Sequence, residues 1–347
     1  MSSFLSRRHF LRFALVGAGM LGAAPLLSLA PSAALARAFG SEETYTRTAL
    51  FMGTMVTITV AGASAEQAGE AVNAALALGR NMADILTRFS ASGPLGQLNA
   101  STSLNDTPPE LMHLMQRSQQ MYARTGGAFD PTVLPLLHLL ESRREQKAQK
   151  HLQLDQAELR NALEMVGMER VHADGSSLRL ERQGMGITLD GIAKGYIADA
   201  ISHSLNSGGY PNHCVNAGGD IAVNGGKAKG QPWRIAIEDP YGKSAYPQVI
   251  EVYDGAVGTS GIYEIFYNAD ASRNHLVNPV TGASAGLASV TVTAPDCLTA
   301  DALATAMAVM PPREALHLAD SLPGCACCLL RHDGLTQCSR NWRGRRA

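Results

Sequence analysis

Gly184-Met185-Gly186-Ile187-Thr188-Leu189-Asp190-Gly191-Ile192-Ala193-Lys194-Gly195-Tyr196-Ile197-Ala198-Asp199 is the stretch around which this 347-residue chain is arranged. Residues 185–189 read as a short apolar strand that turns at Asp190-Gly191. A helix then begins, with Ala198, Ile201 and Leu205 at helical spacing. A strand-to-helix corner presents free backbone N–H groups, and anions bind there readily. Lys194 falls in the first helical turn, where a cation opposes the macrodipole. A bound phosphate would account for it; a solvated lysine on a tight turn is the alternative. The stretch matches neither the Gly-x-Gly-x-x-Gly dinucleotide pattern nor the Gly-x-x-x-x-Gly-Lys-Ser/Thr loop.

Working outward, residues 177–181 are expected to pair with 185–189 as a hairpin leading into a helix over 192–205. Further strands are predicted at 213–217, 233–238, 249–253, 262–267 and 288–293, with helices at 299–310 and 312–322 and a closing hairpin turning at Asp333-Gly334. Upstream, a Thr- and Val-rich strand pattern over 47–60 is interrupted at Met52-Gly53-Thr54. Three capping signatures open helices: Ser64 to Gln67, Thr107 to Glu110 with Pro108 as first helical residue, and Asp155 to Glu158. The first helix should reach Phe89, followed by a loop over 90–105; residues 141–150 read as a charged, solvated face or insertion. Strands and helices do not alternate strictly, so the fold class is α+β: one domain, residues 39–347, with mixed or antiparallel sheets packed against helices.

The amino terminus carries Ser6-Arg7-Arg8-His9-Phe10-Leu11, a diluted apolar run over 13–29, and Ala-x-Ala sites at Ala34 and Ala36. That is the pattern of a cleaved twin-arginine signal over residues 1–38, with no cysteine for lipid attachment, and it implies a folded protein delivered to the periplasm. A formal net charge of −1 argues against a nucleic-acid binder. The arginines of 340–346 read as a solvated tail. Of six cysteines, Cys214 and Cys297 read as core residues. Cys325, Cys327, Cys328 and Cys338 flank the terminal hairpin; a two-residue turn would set Cys338 opposite Leu329 and diagonal to Cys327, with room for one disulfide.

Several polar clusters interrupt apolar elements: Ala128-Phe129-Asp130, Thr188 to Lys194, Asn216 to Asp220, Thr259-Ser260-Gly261, and His275 to Gly282. Each alone could be an ordinary turn. Asp301 and Thr305 differ, because i and i+4 share a helix face. A carboxylate and a hydroxyl suit Mg²⁺, which takes few protein ligands; a helix cap with a back-bonded threonine is the alternative. His275 has the residue type that moves a proton near neutral pH, although a turn histidine is the commoner case.

Taken in order, Met52-Gly53-Thr54, the 89–99 loop ending in Gln97-Leu98-Asn99, Gly127 to Thr132, Gly191 to Tyr196, Asn216 to Asp220, Thr259 to Gly261, His275 to Gly282 and Ala300 to Thr305 resemble the ApbE family of FAD:protein FMN transferases. The resemblance implies a Mg²⁺-dependent transfer of FMN from FAD to a threonine or serine hydroxyl of an acceptor flavoprotein, with release of AMP. It places Met52, Phe89, Ala128, Phe129, Asp130 and Lys194 along the FAD site and His275 by the reacting phosphates. Asp301, Thr305 and the carbonyls of Gly191 and Ala304 would surround the magnesium. Two positions depart from the family: Thr188 and Asn278 stand where aspartate is usual, and Asp190 is the candidate replacement on the flavin side. The Thr188 to Gly195 loop resembles the twin-arginine-exported, NosX-like branch, which implies a membrane-anchored acceptor of nitrous oxide respiration carrying a Ser/Thr-Gly-Ala-Ser/Thr motif. Two other readings fit the same residues: an FAD pyrophosphatase with water as acceptor, and a flavin-binding protein without activity.

Overall fold

The computed structural model describes residues 43–143, 154–227, 230–238, 240, 246 and 248–345. The twin-arginine segment and residues 144–150 lie outside them.

Strands β1 (Thr44–Phe51) and β2 (Thr54–Ala61) form a hairpin. Its two-residue turn puts Met52 at φ 55° and Gly53 at φ 69°, the left-handed pair that joins twisted strands tightly. Helix α1 (Ala65–Leu86) opens with a reciprocal capping box: Gln67 N donates to Ser64 Oγ (3.3 Å) and Ser64 N to Gln67 Oε1 (2.8 Å). Then come α2 (Pro94–Ser101), β3 (Ser103–Leu104), α3 (Pro109–Arg124), α4 (Leu134–Glu141), α5 (Gln156–Glu164), β4 (Val171–Asp174) and β5 (Ser177–Leu180). Helix α6 (Ala193–Ser207) follows the quoted corner, and β6 (His213–Ala217), β7 (Asp220–Asn224), β8 (Trp233–Ile237), β9 (Gln248–Val252), β10 (Gly255–Gly261) and β11 (Ser289–Ala294) follow it. The described chain ends with α7 (Cys297–Val309), α8 (Pro312–Ser321), β12 (Ala326–Leu330) and β13 (Thr336–Cys338).

Eight strands make one antiparallel sheet in the order β1-β2-β6-β7-β10-β11-β12-β13, so the architecture is α+β. Strand periodicity sorts its side chains into two cores. Val56, Val215, Ala222, Ala256 and Val290 face a large core with α1, α6 and α7. Ile221, Val223 and Val257 face the other way, under the β8–β9 ribbon with Trp233, Ile237 and Ile250. Helix α7 is buried over nearly its whole circumference, so Asp301 enters the core only because other polar groups meet it there.

Several expectations are corrected. The 90–105 loop contains α2, whose Pro94 sits at the first position. Pro109, not Pro108, begins α3, and no side chain caps it. Residues 185–189 join no ladder; instead the Asn99 amide imitates a neighbouring strand, accepting from Ile187 N (2.7 Å) and donating to Ile187 O (2.9 Å). Strand β5 pairs with β3 and β4. Residues 262–267 turn rather than extend, and the strand of this region is the glycine-rich β10. The terminal hairpin has a five-residue loop, so Cys338 lies opposite Cys328 rather than Leu329. The tail is not free in solvent: Trp342 packs on the second core and Arg345 exchanges backbone bonds with Val249 at 2.9 and 2.8 Å.

Candidate active site

The corner's lysine has a physical reason that its own segment does not contain. Lys194 Nζ pairs with Asp220 at the start of β7 and lies 3.7 Å from Asp301 Oδ1 on α7. Both carboxylates are 2 % exposed, while the lysine side chain keeps 24 % of its surface open. Burial works against the lysine charge, yet Asp220, Asp301 and Glu264 hold it well above the ordinary lysine value. Asp301 is pushed up to about 7, first by burial and then by the Asp220 charge.

Close packing fixes this geometry. A Cβ on Gly195 would lie 2.3 Å from the Cys297 carbonyl oxygen, and one on Gly258 would lie 2.7 Å from Asp301 N, so only glycine lets α6, β10 and α7 come this near. The two helices are latched reciprocally. Gly195 N donates to Asp301 Oδ2 (2.9 Å), while Asp199 on α6 accepts from Cys297 N and Leu298 N (both 2.8 Å) at the start of α7. Gly191 comes against Thr305: a Cβ there would lie 2.7 Å from Thr305 Oγ1, which is 3.3 Å from Ser260 Oγ. Ala304 is fully buried beside Thr305.

His275 lies within the electrostatic reach of the lysine. Its Nδ1 is 3.0 Å from the Ile265 carbonyl, which can only accept, so Nδ1 carries the proton and Nε2 the lone pair. Burial lowers its pKa, and the Lys194 charge lowers it further. Glu264, at the rim, is pushed up to about 7 by burial, Asp220 and Glu238 against the pull of Lys194.

The remaining expected residues ring the corner. Thr188 is buried; its N donates to the Pro131 carbonyl (2.8 Å), which stitches the Ala128–Phe129–Asp130 turn to the corner, and its Oγ1 accepts from Asp190 N (3.2 Å). Phe129 is buried in the large core, and Asp130 Oδ1 is spent on Thr132, accepting from its N (2.8 Å) and its hydroxyl (2.6 Å). Asp190 is exposed and accepts from Arg88 Nε (2.8 Å), while Arg88 also reaches Glu141 (2.7 Å) and lies 4.2 Å over the ring of Phe89, itself 74 % exposed. Met52 tips the β1–β2 hairpin, whose Thr54 touches the Gly218 turn ahead of Asp220. Asn278 does the work of a turn aspartate, accepting from Val280 N and Thr281 N (both 3.0 Å). Reading the sequence did not assign Asp220, Glu264, Asp199 or Arg88. Asp199, one acid in an apolar helix, was the visible signal; Glu264 has none, since only the turn after β10 brings it round.

An eight-stranded antiparallel sheet, covered by helices on one face and ending in this charged corner, defines an ApbE-type fold. The chain belongs to the ApbE family, whose model matches residues 52–329. It is 30% identical over 244 residues to the FAD:protein FMN transferase of Vibrio cholerae, covering 69% of this chain and 72% of that one. It is 30% identical over 242 residues to the Escherichia coli K12 enzyme of the same name, covering 67% and 68%. Among solved structures it resembles the flavin transferase ApbE from Vibrio cholerae (TM-score 0.72, 26% identity, 86% of this chain and 98% of that one). It also resembles the ApbE protein of Thermotoga maritima (TM-score 0.75, 29% identity, 86% and 97%).

Proposed function

We propose that this chain transfers FMN from FAD to a serine or threonine hydroxyl of an acceptor flavoprotein and releases AMP. Membership in the family, and the names of the relatives, support the reaction class. One observation carries the mechanism: a lysine kept cationic by two buried carboxylates lies near enough to His275 that its charge, together with burial, lowers the pKa of that histidine. The acceptor oxygen forms a bond to the FMN phosphorus, and the bond from that phosphorus to the AMP oxygen breaks, its electron pair leaving with AMP. Lys194 supplies positive charge where the phosphates gain negative charge. His275 Nε2 takes the hydroxyl proton, its ring held by the Ile265 carbonyl. Met52, Phe89, the 128–130 turn, Thr188 and Asp190 would line the FAD.

The residues present fit Mg²⁺. Asp220, Asp301 and the rim Glu264 outnumber Lys194, and Asp301 and Thr305, four residues apart on α7, offer hard oxygens on one helix face, Thr305 against Gly191. Mg²⁺ takes few protein ligands and draws the others from water and phosphate. Asp301, Thr305 and the carbonyls of Gly191 and Ala304 would hold it. When bound it would neutralise charge on the diphosphate. The twin-arginine pattern supports a periplasmic site of action, and the NosX-like loop supports a membrane-anchored acceptor of nitrous oxide respiration with a Ser/Thr-Gly-Ala-Ser/Thr motif.

One incubation tests the proposal: protein, FAD, Mg²⁺ and a peptide containing that motif, read by mass spectrometry and chromatography. FMN on the peptide is expected. Free FMN without labelled peptide would make the protein a pyrophosphatase, and unchanged FAD would leave a binding protein.

A further inference from the structure

The terminal hairpin holds a reactive pair that the proposed transfer does not use. Cys328 on β12 stands opposite Cys338 on β13, with their Sγ atoms 2.7 Å apart. Ser339 N donates to the Cys327 carbonyl just before the ladder and Arg331 N to the Leu335 carbonyl within the loop, so 327–339 and 331–335 are the hydrogen-bonded positions of this register. Such pairs alternate, so Cys328–Cys338 is a non-hydrogen-bonded pair, the closer kind, with Cα atoms about 4.5 Å apart. That separation is one a disulfide spans. The pleat turns Cys327 to the opposite face, where its thiol is 3.9 Å from the Ala315 carbonyl of α8. Cys338 is partly exposed and Cys328 buried. Contact between the two sulfurs pushes the Cys338 thiol below its ordinary range.

We propose that Cys328 and Cys338 form a disulfide that closes the terminal hairpin and fixes the segment beyond it. That segment crosses to another sheet: Ser339 Oγ accepts from Cys327 N (2.9 Å), the Trp342 indole donates to Gln248 Oε1 (3.4 Å), and Arg345 pairs with Val249. The bond therefore ties the edge of the large sheet to the β8–β9 ribbon. A disulfide-bearing thiol oxidant supplies the chemistry. The Cys338 thiolate attacks one sulfur of the oxidant's disulfide and expels the other as a thiol. The Cys328 thiolate then attacks the Cys338 sulfur of the mixed disulfide and expels the second thiol. Two electrons and two protons pass to the oxidant, and an oxidising compartment keeps the product.

Purified protein is incubated with glutathione disulfide, denatured in iodoacetamide and digested with trypsin without reductant. Cleavage after Arg331 and Arg340 separates the two cysteines, so a peptide ending at Arg331 should remain linked to residues 332–340. Fragment ions of the unsubstituted protein should place the bridge on Cys328, which needs no variant to fold. The link should survive Cys327→Ser and vanish in Cys328→Ser, and reduction should lower Tm in the unsubstituted protein but not in the Cys328→Ser/Cys338→Ser double variant. Cys338 fully alkylated after oxidation, or bridged to Cys325 or Cys327, would overturn the inference.

Discussion

Substituting Gly195→Ala perturbs the contact on which the site's geometry rests. The new methyl would lie 2.3 Å from the Cys297 carbonyl oxygen and 2.9 Å from Asp301 Cβ, against ordinary contacts of 3.4 Å or more. The obstacle is backbone, so no side-chain rotation relieves it, and α6 and α7 must part by about 1 Å. Overpacking of this kind costs about 1–3 kcal/mol. Replacing a helical glycine by alanine returns up to about 1 kcal/mol. The net loss of stability should therefore lie between about 0 and 3 kcal/mol, and the fold should survive. Catalysis should suffer far more, because a displacement of about 1 Å between reacting groups can lower the rate roughly 100-fold. FMN transfer to peptide is measured beside thermal melting, with Gly69→Ala as control: that glycine lies in α1 with nothing within 4 Å of the added methyl. Full activity in Gly195→Ala together with a raised Tm would show that the helices are not held by this contact.

Asp301→Ala should abolish Mg²⁺-dependent turnover while Lys194 stays paired with Asp220, so circular dichroism should be unchanged; retained turnover would move the metal elsewhere. Because burial lowers the His275 pKa, the neutral base persists on the acid side of the ordinary histidine value, about 6.5. The acid limb of kcat/KM should therefore fall below that pH, and His275→Ala should remove the limb with most of the rate. Asn99→Ala strips both partners from the backbone of the fully buried Ile187, at about 1–3 kcal/mol for each stranded group. Urea unfolding should show the lower midpoint, with an unchanged slope.

What could be read from residue order was mostly local. The capping boxes at Ser64 and Asp155 carry their own partners within three residues, and both open helices as expected. The Met52-Gly53 interruption is a turn because left-handed backbone suits those positions. Errors fell where distant chain decides. Thr259-Ser260-Gly261 could pass for an ordinary turn, yet it ends strand β10, in which Gly258 is required by the α7 backbone lying against it. Residues 185–189 look like a strand, and an asparagine from α2 supplies their partner. The lysine at the corner was legible as anomalous in its helical turn; its two buried carboxylates arrive from β7 and α7, and no pattern around residue 194 announces them.

The exchange of bonds between α6 and α7 makes a single rigid body of the elements that bear Lys194 and Asp301. Phe89, the 128–130 turn and His275 come from segments outside that body. Variation in those segments can reshape what enters the cleft while the charged centre stays put. A library aimed at new flavin analogues or new acceptor peptides belongs in the rim, and the paired helices are the part to leave untouched.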